Sequence, residues 1–233
     1  MINADMISEN VKRVYGVIAD AALISGREPS DVMLVAASKT KSTELIRAAI
    51  AAGVDAIGEN RVQEMMEKRA EGAYNGAPLH FIGRLQSNKA TRIVGVCDLI
   101  ESVDSAALLD RIGKKAVSLG ITQNVLIEVN IGKEQQKSGV LPEQVNEILE
   151  FAAHVKGVKV LGLMAIPPIN DENEKNCYCF DKMFQLYIDI REKKYDNVSM
   201  DFLSMGMSDS FADAIRAGAN IVRVGSAVFG ERL

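Results

Sequence analysis

Apolar residues follow two alternating patterns along this chain of 233 residues. Near the start they recur at helical spacing from Ile7 to Ala22, which predicts an amphipathic helix over about 4–25 that ends at Gly26. Short apolar runs bounded by turn residues follow, and such runs are typical of buried strands. The predicted strands cover 32–37, 54–60, 79–83, 99–104, 124–130, 158–166, 198–203 and 220–224, and Pro167-Pro168 stops the sixth.

Stretches with helical spacing separate the predicted strands. They lie around 62–66 and at 42–52, 88–96, 105–119, 142–154, 172–194 and 208–217, with a last short helix near Ala227. Such alternation of strands and helices indicates parallel βαβ units. Eight units favour an α/β fold in which residues 1–233 form one (β/α)8 TIM barrel, with helix 4–25 as an addition. A doubly wound sheet is the structural alternative.

Composition narrows the class of protein. Hydrophobic residues make up 48% of the chain and charged residues 25%, a globular balance. The net charge of -4 gives no reason to expect a nucleic acid or a membrane surface as partner. The N-terminal stretch is polar, unlike a signal peptide, and no apolar run approaches the ~20 residues of a membrane helix. We therefore expect a cytoplasmic protein.

Cysteine usage agrees with that expectation. The chain has three cysteines, Cys97, Cys177 and Cys179, an odd number without the spacing of a disulfide framework. Cys177-Tyr178-Cys179 is not a zinc-binding spacing, so no metal site is predicted. Reduced thiols are expected.

Lys39 is the first candidate for chemistry, since it directly follows the apolar run of the first predicted strand. Parallel α/β folds place their active sites at the carboxyl ends of strands. Partial burial there favours the neutral amine, which condenses with an aldehyde to form a Schiff base. The alternative is a strand-end lysine that extends its amine into water.

Two turns near the end of the chain are suited to an anion. Ser204, Gly206 and Ser208 follow the seventh predicted strand, and Gly225 and Ser226 follow the eighth. Amide-rich turns bind anions, and the loops after strands seven and eight commonly form the phosphate site of TIM barrels. The alternative is a pair of ordinary βα turns with helix caps.

Arg223 is a charge inside the eighth apolar strand and needs a partner if it is buried. Barrel closure lays strand eight beside strand one, so Lys39 would share a mouth with the two anion-suited turns. A phosphate and an amine-reactive aldehyde together describe pyridoxal 5′-phosphate (PLP), and Arg223 could donate to its pyridine nitrogen. Alternatively, Arg223 pairs with a carboxylate such as Glu231 or Asp201.

Five motifs give the chain a family resemblance. They are Ala36-Ala37-Ser38-Lys39, Ile57-Gly58-Glu59-Asn60-Arg61-Val62-Gln63-Glu64, His80-Phe81-Ile82-Gly83-Arg84-Leu85-Gln86-Ser87-Asn88-Lys89, Ser204-Met205-Gly206-Met207-Ser208-Asp209 and Val222-Arg223-Val224-Gly225-Ser226-Ala227-Val228-Phe229-Gly230. Together they resemble the pyridoxal phosphate homeostasis protein family, whose members look like the barrel half of alanine racemase. The resemblance spans nearly the entire chain.

The resemblance implies roles for individual residues. Lys39 would hold PLP as a Schiff base, and Arg223 would lie near the ring nitrogen. Asn60 and His80 would line the pocket. The phosphate would be surrounded by Ser204, Ser208, Gly225 and Ser226, the last of which stands where many relatives have threonine.

Three functions remain open from the sequence. The first is a non-enzymatic carrier that holds PLP for vitamin B6 homeostasis and delivers it to apo PLP-dependent enzymes. The second is a small PLP-dependent amino-acid racemase or lyase. Racemisation needs a base on each face of the substrate carbanion. The third is a sugar-phosphate aldolase that uses Lys39 without PLP. We expect the carrier, because the chain is expected to lack the second domain of alanine racemase and its tyrosines fall away from the predicted strand ends. No unusual apolar surface stripe demands a partner chain, so a monomer is expected rather than a dimer.

Overall fold

The computed structural model describes residues 2–167 and 173–231, and its strands form one closed parallel barrel in chain order. The predicted TIM barrel is therefore confirmed, and the doubly wound alternative is excluded. The strands are β1 Met33–Ala37, β2 Ala56–Glu59, β3 Leu79–Phe81, β4 Leu99–Val103, β5 Gln123–Val129, β6 Val158–Ala165, β7 Val198–Ser204 and β8 Ile221–Val224.

Closure of the barrel joins the first strand to the last. Leu34 pairs with Val222 and Val35 with Arg223 in the β1–β8 register. The residues that follow β1 and β8 therefore meet at one mouth, although almost the whole chain separates them.

Helices cover the outside of the sheet. They are α1 Ala4–Ile24, α2 Thr43–Ala51, α3 Val62–Ala70, α4 Ser87–Ala90, α5 Ala106–Ser118, α6 Val145–Ala153, α7 Asn173–Arg191, α8 Phe211–Arg216 and α9 Ser226–Phe229. Helix α1 begins at Asn3, whose side chain accepts a hydrogen bond from the Met6 amide. Its buried face runs from Ile7 to Ala22 and packs against α2, α8 and α9. None of the described helices is long and apolar enough to cross a membrane.

Successive side chains along each strand enter two separate cores. Leu34 and Ala36 belong to the large core between sheet and helices, whereas Val35 belongs to a small one. The small core contains no helix residue among its buried members, so it fills the barrel interior, as the period-2 alternation of strand side chains requires.

Two predicted helices are shorter than expected. The helix predicted over 208–217 begins at Phe211, because residues 207–210 form a turn closed by the Ser210 amide and the Met207 carbonyl. The helix predicted over 88–96 is regular only over Ser87–Ala90; tighter i→i+3 bonds follow, and Gly95 has a φ of 75°. Pro168, the predicted helix start at 172 and the side chain of Cys177 lie outside the described residues.

Candidate functional site

A cavity of about 270 Å³ opens at the carboxyl ends of the strands. Six of the nine residues predicted for the site line it, namely Lys39, Asn60, Ser208, Arg223, Gly225 and Ser226. The other lining residues are Ala37, Thr40, Lys41, Ile82, Ile166, Met207, Asp209 and Gly230. His80, Ser204 and Gly206 are not among them.

Lys39 lies in a tight turn two residues beyond the end of β1. The turn is closed by the Lys41 amide, which donates to the Ser38 carbonyl at 3.0 Å. Lys39 is half-buried, and Thr40 beside it has a φ of 64°, in the left-handed region that β-branched residues disfavour. The amine therefore belongs to a strained turn at the rim of the cavity.

The neighbouring turns after β7 and β8 bring backbone donors to the same rim. The Gly225 amide donates to the Ser208 hydroxyl oxygen at 3.1 Å, and the Ala227 amide donates to the same oxygen at 3.4 Å. Two amides and a hydroxyl thus converge where the turns after β7 and β8 meet. A phosphate, whose oxygens accept several hydrogen bonds, would replace the Ser208 oxygen as the acceptor for these two amides.

Asn60 presents an unsatisfied acceptor beside the cavity. Its side-chain oxygen is buried and has no hydrogen-bond partner among the described residues. Buried polar atoms are normally paired, so an orphan at a cavity wall fits a site for a ligand with a donor. Ala37, Ile82 and Ile166 supply apolar walls for a ring.

Arg223 reaches the cavity from inside the barrel, where it is 4% exposed. It donates to the Ala165 carbonyl at 2.8 Å and to the Ser204 hydroxyl, and it lies 3.7 Å from Glu101. Burial lowers the pKa of Arg223, and the charge of Glu101 opposes that shift. The carboxylate partner expected at Glu231 or Asp201 is thus Glu101.

His80 and Ser204 lie behind Arg223 rather than at the cavity surface. The Nδ1 atom of His80 is 2.7 Å from one oxygen of Glu101, and the Ser204 hydroxyl donates to the other at 2.6 Å. Burial raises the pKa of Glu101, but the hydrogen bond and charge of His80, with Arg223, hold that pKa below its ordinary value. The two residues orient the group that balances Arg223.

Gly206 has a conformational and packing role. Its φ of 93° is in the left-handed region, and a Cβ there would lie 2.6 Å from the Cβ of Ala214. The Gly206 carbonyl accepts from the Arg223 amide at 3.1 Å. Glycine thus lets the turn after β7 approach α8 while it joins β8.

Sequence reasoning missed two buried carboxylates. Glu101 interrupts the apolar run of β4 just as Arg223 interrupts β8, and the same criterion would have found it. Glu59 ends β2, is fully buried, and accepts from Ser38 at 2.7 Å, Lys68 at 2.8 Å and Tyr74 at 3.0 Å. The spacing of Glu64 and Lys68 on α3 indicates only an ion pair between those two residues, so no sequence pattern pointed to Glu59 as their partner.

The fold and the cavity define a class of protein. Residues 2–233 match the family model described as "Alanine racemase, N-terminal domain", so this closed (β/α)8 barrel, with a strand-end lysine and an amide-rich turn at one mouth, is of the alanine racemase type.

Particular relatives narrow the class to a family. A pyridoxal phosphate homeostasis protein from Aquifex aeolicus is 43% identical over 96% of this chain and 97% of its own. The chain belongs to the pyridoxal phosphate homeostasis protein family.

Solved structures show the same similarity. A crystal structure of an unknown protein from Bifidobacterium adolescentis has a TM-score of 0.92 and 37% identity, covering 98% of both chains. PipY of Synechococcus elongatus PCC7942, solved with PLP bound, has a TM-score of 0.79 and 33% identity, covering 91% of this chain and 100% of its own.

Proposed function

We propose that this protein binds PLP as a Schiff base on Lys39 and takes part in PLP homeostasis in the cytoplasm. The observation that carries the proposal is that Lys39 and the amide-rich turn at Gly225 line one cavity. The family of the chain and the PLP-bound state of PipY support it. When bound, PLP supplies an aldehyde carbon and an electron-withdrawing ring.

The chain's own groups divide the work of binding. Lys39 would hold the aldehyde carbon as a Schiff base, whose C=N bond replaces the C=O bond with loss of the oxygen as water. The Gly225 and Ala227 amides, with the hydroxyls of Ser208 and Ser226, would hold the phosphate. The Asn60 oxygen would accept a hydrogen bond from the ligand, and Arg223 would lie near the ring nitrogen.

The charge around Arg223 favours a carrier over an enzyme. A guanidinium has donors only, so it leaves a neighbouring pyridine nitrogen without a proton and weakens the ring as an electron sink. Racemisation also needs a second base opposite Lys39, and no tyrosine is among the described residues that line the cavity. Tyr74, the most buried candidate near Lys39, is committed to Glu59. We infer a monomeric carrier that delivers PLP to apo-enzymes.

Titration with PLP tests the binding site. The wild type should develop the yellow absorbance of a Schiff base, and Lys39→Ala should not. Lys41→Ala is the matched control, because Lys41 lines the same cavity while its amine donates to the Phe229 carbonyl at 3.2 Å. A wild-type protein that stays colourless would contradict the proposal and favour the aldolase hypothesis.

Turnover separates the carrier from the racemase or lyase. The PLP-loaded protein is incubated with single enantiomers of amino acids, and racemised and cleaved products are measured. We expect rates no higher than those of free PLP. Turnover well above free PLP would overturn the carrier proposal.

A further inference from the structure

The turn that carries Lys39 rests on a buried cluster outside the barrel wall. The cluster consists of Glu59, Glu64, Lys68 and Tyr74. None of these residues lines the cavity, and closure of the barrel does not require charged residues at these positions. Glu59 is fully buried and Lys68 is 8% exposed, which is rare for either residue type. Buried charges of this kind are costly, so their arrangement calls for a role.

Lys68 joins both carboxylates to the turn. Its amine lies 2.8 Å from Glu59 and 2.7 Å from Glu64, and it donates to the Ser38 carbonyl at 3.1 Å. All three donors of the ammonium group are thereby directed to acceptors. Lys68 therefore connects α3 with the residue immediately before Lys39.

The two residues that flank Lys39 are both held by this cluster. The Ser38 hydroxyl donates to Glu59 at 2.7 Å, on one side of Lys39. The Thr40 amide donates to Glu64 at 2.6 Å, on the other side. Hydrogen bonds to ionised acceptors are short and strong, so the backbone of Lys39 is fixed on both sides.

Thr40 shows why such fixing is needed. Its φ of 64° is unfavourable for a β-branched residue, and strained conformations persist only where the surroundings over-determine them. The Thr40 amide that Glu64 accepts belongs to this strained residue. Without Glu64, the turn would relax toward ordinary backbone angles and carry the Lys39 side chain with it.

We propose that Glu64 and Lys68 are positioning residues, which hold the Lys39 turn in the strained geometry that directs its amine toward an aldehyde in the cavity. The inference rests on the proposed function, since it assigns the amine its reaction. Neither residue lines the cavity, and both act through the backbone of Ser38 and Thr40.

Glu64 is the better residue to change, because Lys68→Met would leave the buried Glu59 without its cation and endanger folding. Glu64→Ala removes the acceptor for Thr40, whereas Glu64→Gln retains an oxygen there. Glu67→Ala is the matched control, since Glu67 lies on the same helix and is exposed. We expect Glu64→Ala to slow formation of the Schiff-base absorbance by about tenfold, as for a misplaced reacting group. Glu64→Gln and Glu67→Ala should stay within about twofold of the wild type.

Amide hydrogen exchange in the absence of PLP tests the contact itself. The Thr40 amide should lose protection in Glu64→Ala and keep it in Glu67→Ala. If Thr40 loses protection but Glu64→Ala forms the Schiff base as fast as the wild type, the positioning role is overturned. An unprotected Thr40 amide in the wild type would overturn it as well.

A second labelling experiment separates this inference from the proposed function. If the wild type forms no Schiff base with PLP, the proposed function fails, and the same proteins are treated with formaldehyde and borohydride. Slower methylation of Lys39 in Glu64→Ala than in Glu67→Ala would still support positioning of the amine. Equal methylation in the two variants would contradict it.

Discussion

Two buried carboxylates on opposite faces of the sheet each bind one cation, and the two cations have different roles. Glu59 faces the helices and binds Lys68, which fixes a backbone turn. Glu101 faces the barrel interior and binds Arg223, whose guanidinium borders the cavity. Lys68 has a second carboxylate in Glu64, whereas Glu101 is the only carboxylate within 4.0 Å of Arg223 among the described residues. In the outer cluster, around Glu59, Lys68 keeps a carboxylate partner when Glu59 is neutralised. In the inner cluster, around Glu101, Arg223 loses the only described carboxylate within 4.0 Å when Glu101 is neutralised.

The largest effect should follow from neutralising the inner carboxylate. Glu101→Gln removes the only described carboxylate within 4.0 Å of the buried Arg223 and leaves it the more distant Glu128, and breaking such a buried pair costs about 3–5 kcal/mol. The free energy of unfolding in urea measures this cost. Glu101→Gln/Arg223→Met should recover part of the loss, because the uncompensated charge is gone. A Glu101→Gln protein within ~1 kcal/mol of the wild type would contradict the account of the inner cluster.

Neutralising the outer carboxylate should cost less. In Glu59→Gln, Lys68 keeps Glu64 and the Ser38 carbonyl, so the loss is that of hydrogen bonds to a charged group, about 1–3 kcal/mol. The same urea experiment applies. If Glu59→Gln destabilises the protein more than Glu101→Gln, the proposed difference between the two clusters is wrong.

The pH dependence of stability should separate Glu101 from a third buried carboxylate. Burial acts to raise the pKa of Glu101, but His80 and Arg223 lower it by more, so the folded pKa lies below the ordinary value. The contribution of Glu101 to stability is therefore present above about pH 4 and is lost as the pH falls through the folded pKa. The pH dependence of stability that Glu128 contributes has the opposite sign. Burial raises its pKa despite the hydrogen bond from Ser138, so its contribution declines as the pH rises from about 4 through the folded pKa.

The variant Glu128→Gln tests the sign of the pH dependence that Glu128 contributes to stability. The variant should be more stable than the wild type at pH 7, with the difference vanishing toward pH 4, because an uncharged amide no longer suffers burial of a carboxylate. Thermal unfolding across this pH range measures the difference. A variant less stable than the wild type at pH 7 would show that the ionised carboxylate is favourably bound.

The smallest effect belongs to a surface pair. Asp110 and Lys114 form an ion pair on α5 whose lysine side chain is 77% exposed. Asp110→Asn should change the free energy of unfolding by about 0.5 kcal/mol or less. Asp110→Asn serves as the control for Glu59→Gln and Glu101→Gln. If it lowers the free energy of unfolding as much as they do, burial is not what makes the two buried carboxylates costly to neutralise.

The barrel and the parts of the site nearest its closure could be predicted from the sequence. Alternating strands and helices indicate the fold, and closure alone brings Lys39 beside Gly225. The partners of buried charges could not be predicted, because Ser204 and Glu101 are separated by 103 residues and meet only across the barrel interior. The start of α8 was missed because Ser208 accepts from the next turn instead of capping its own helix.

Borohydride reduction of the PLP-loaded wild type, followed by peptide mass mapping, tests the central claim most directly. Reduction converts a Schiff base into a stable secondary amine on whichever lysine carries it. We predict that the added mass is found on Lys39 and on no peptide that contains only Lys41, Lys68 or Lys89. Label on another lysine, or label that persists unchanged in Lys39→Ala, would contradict the account.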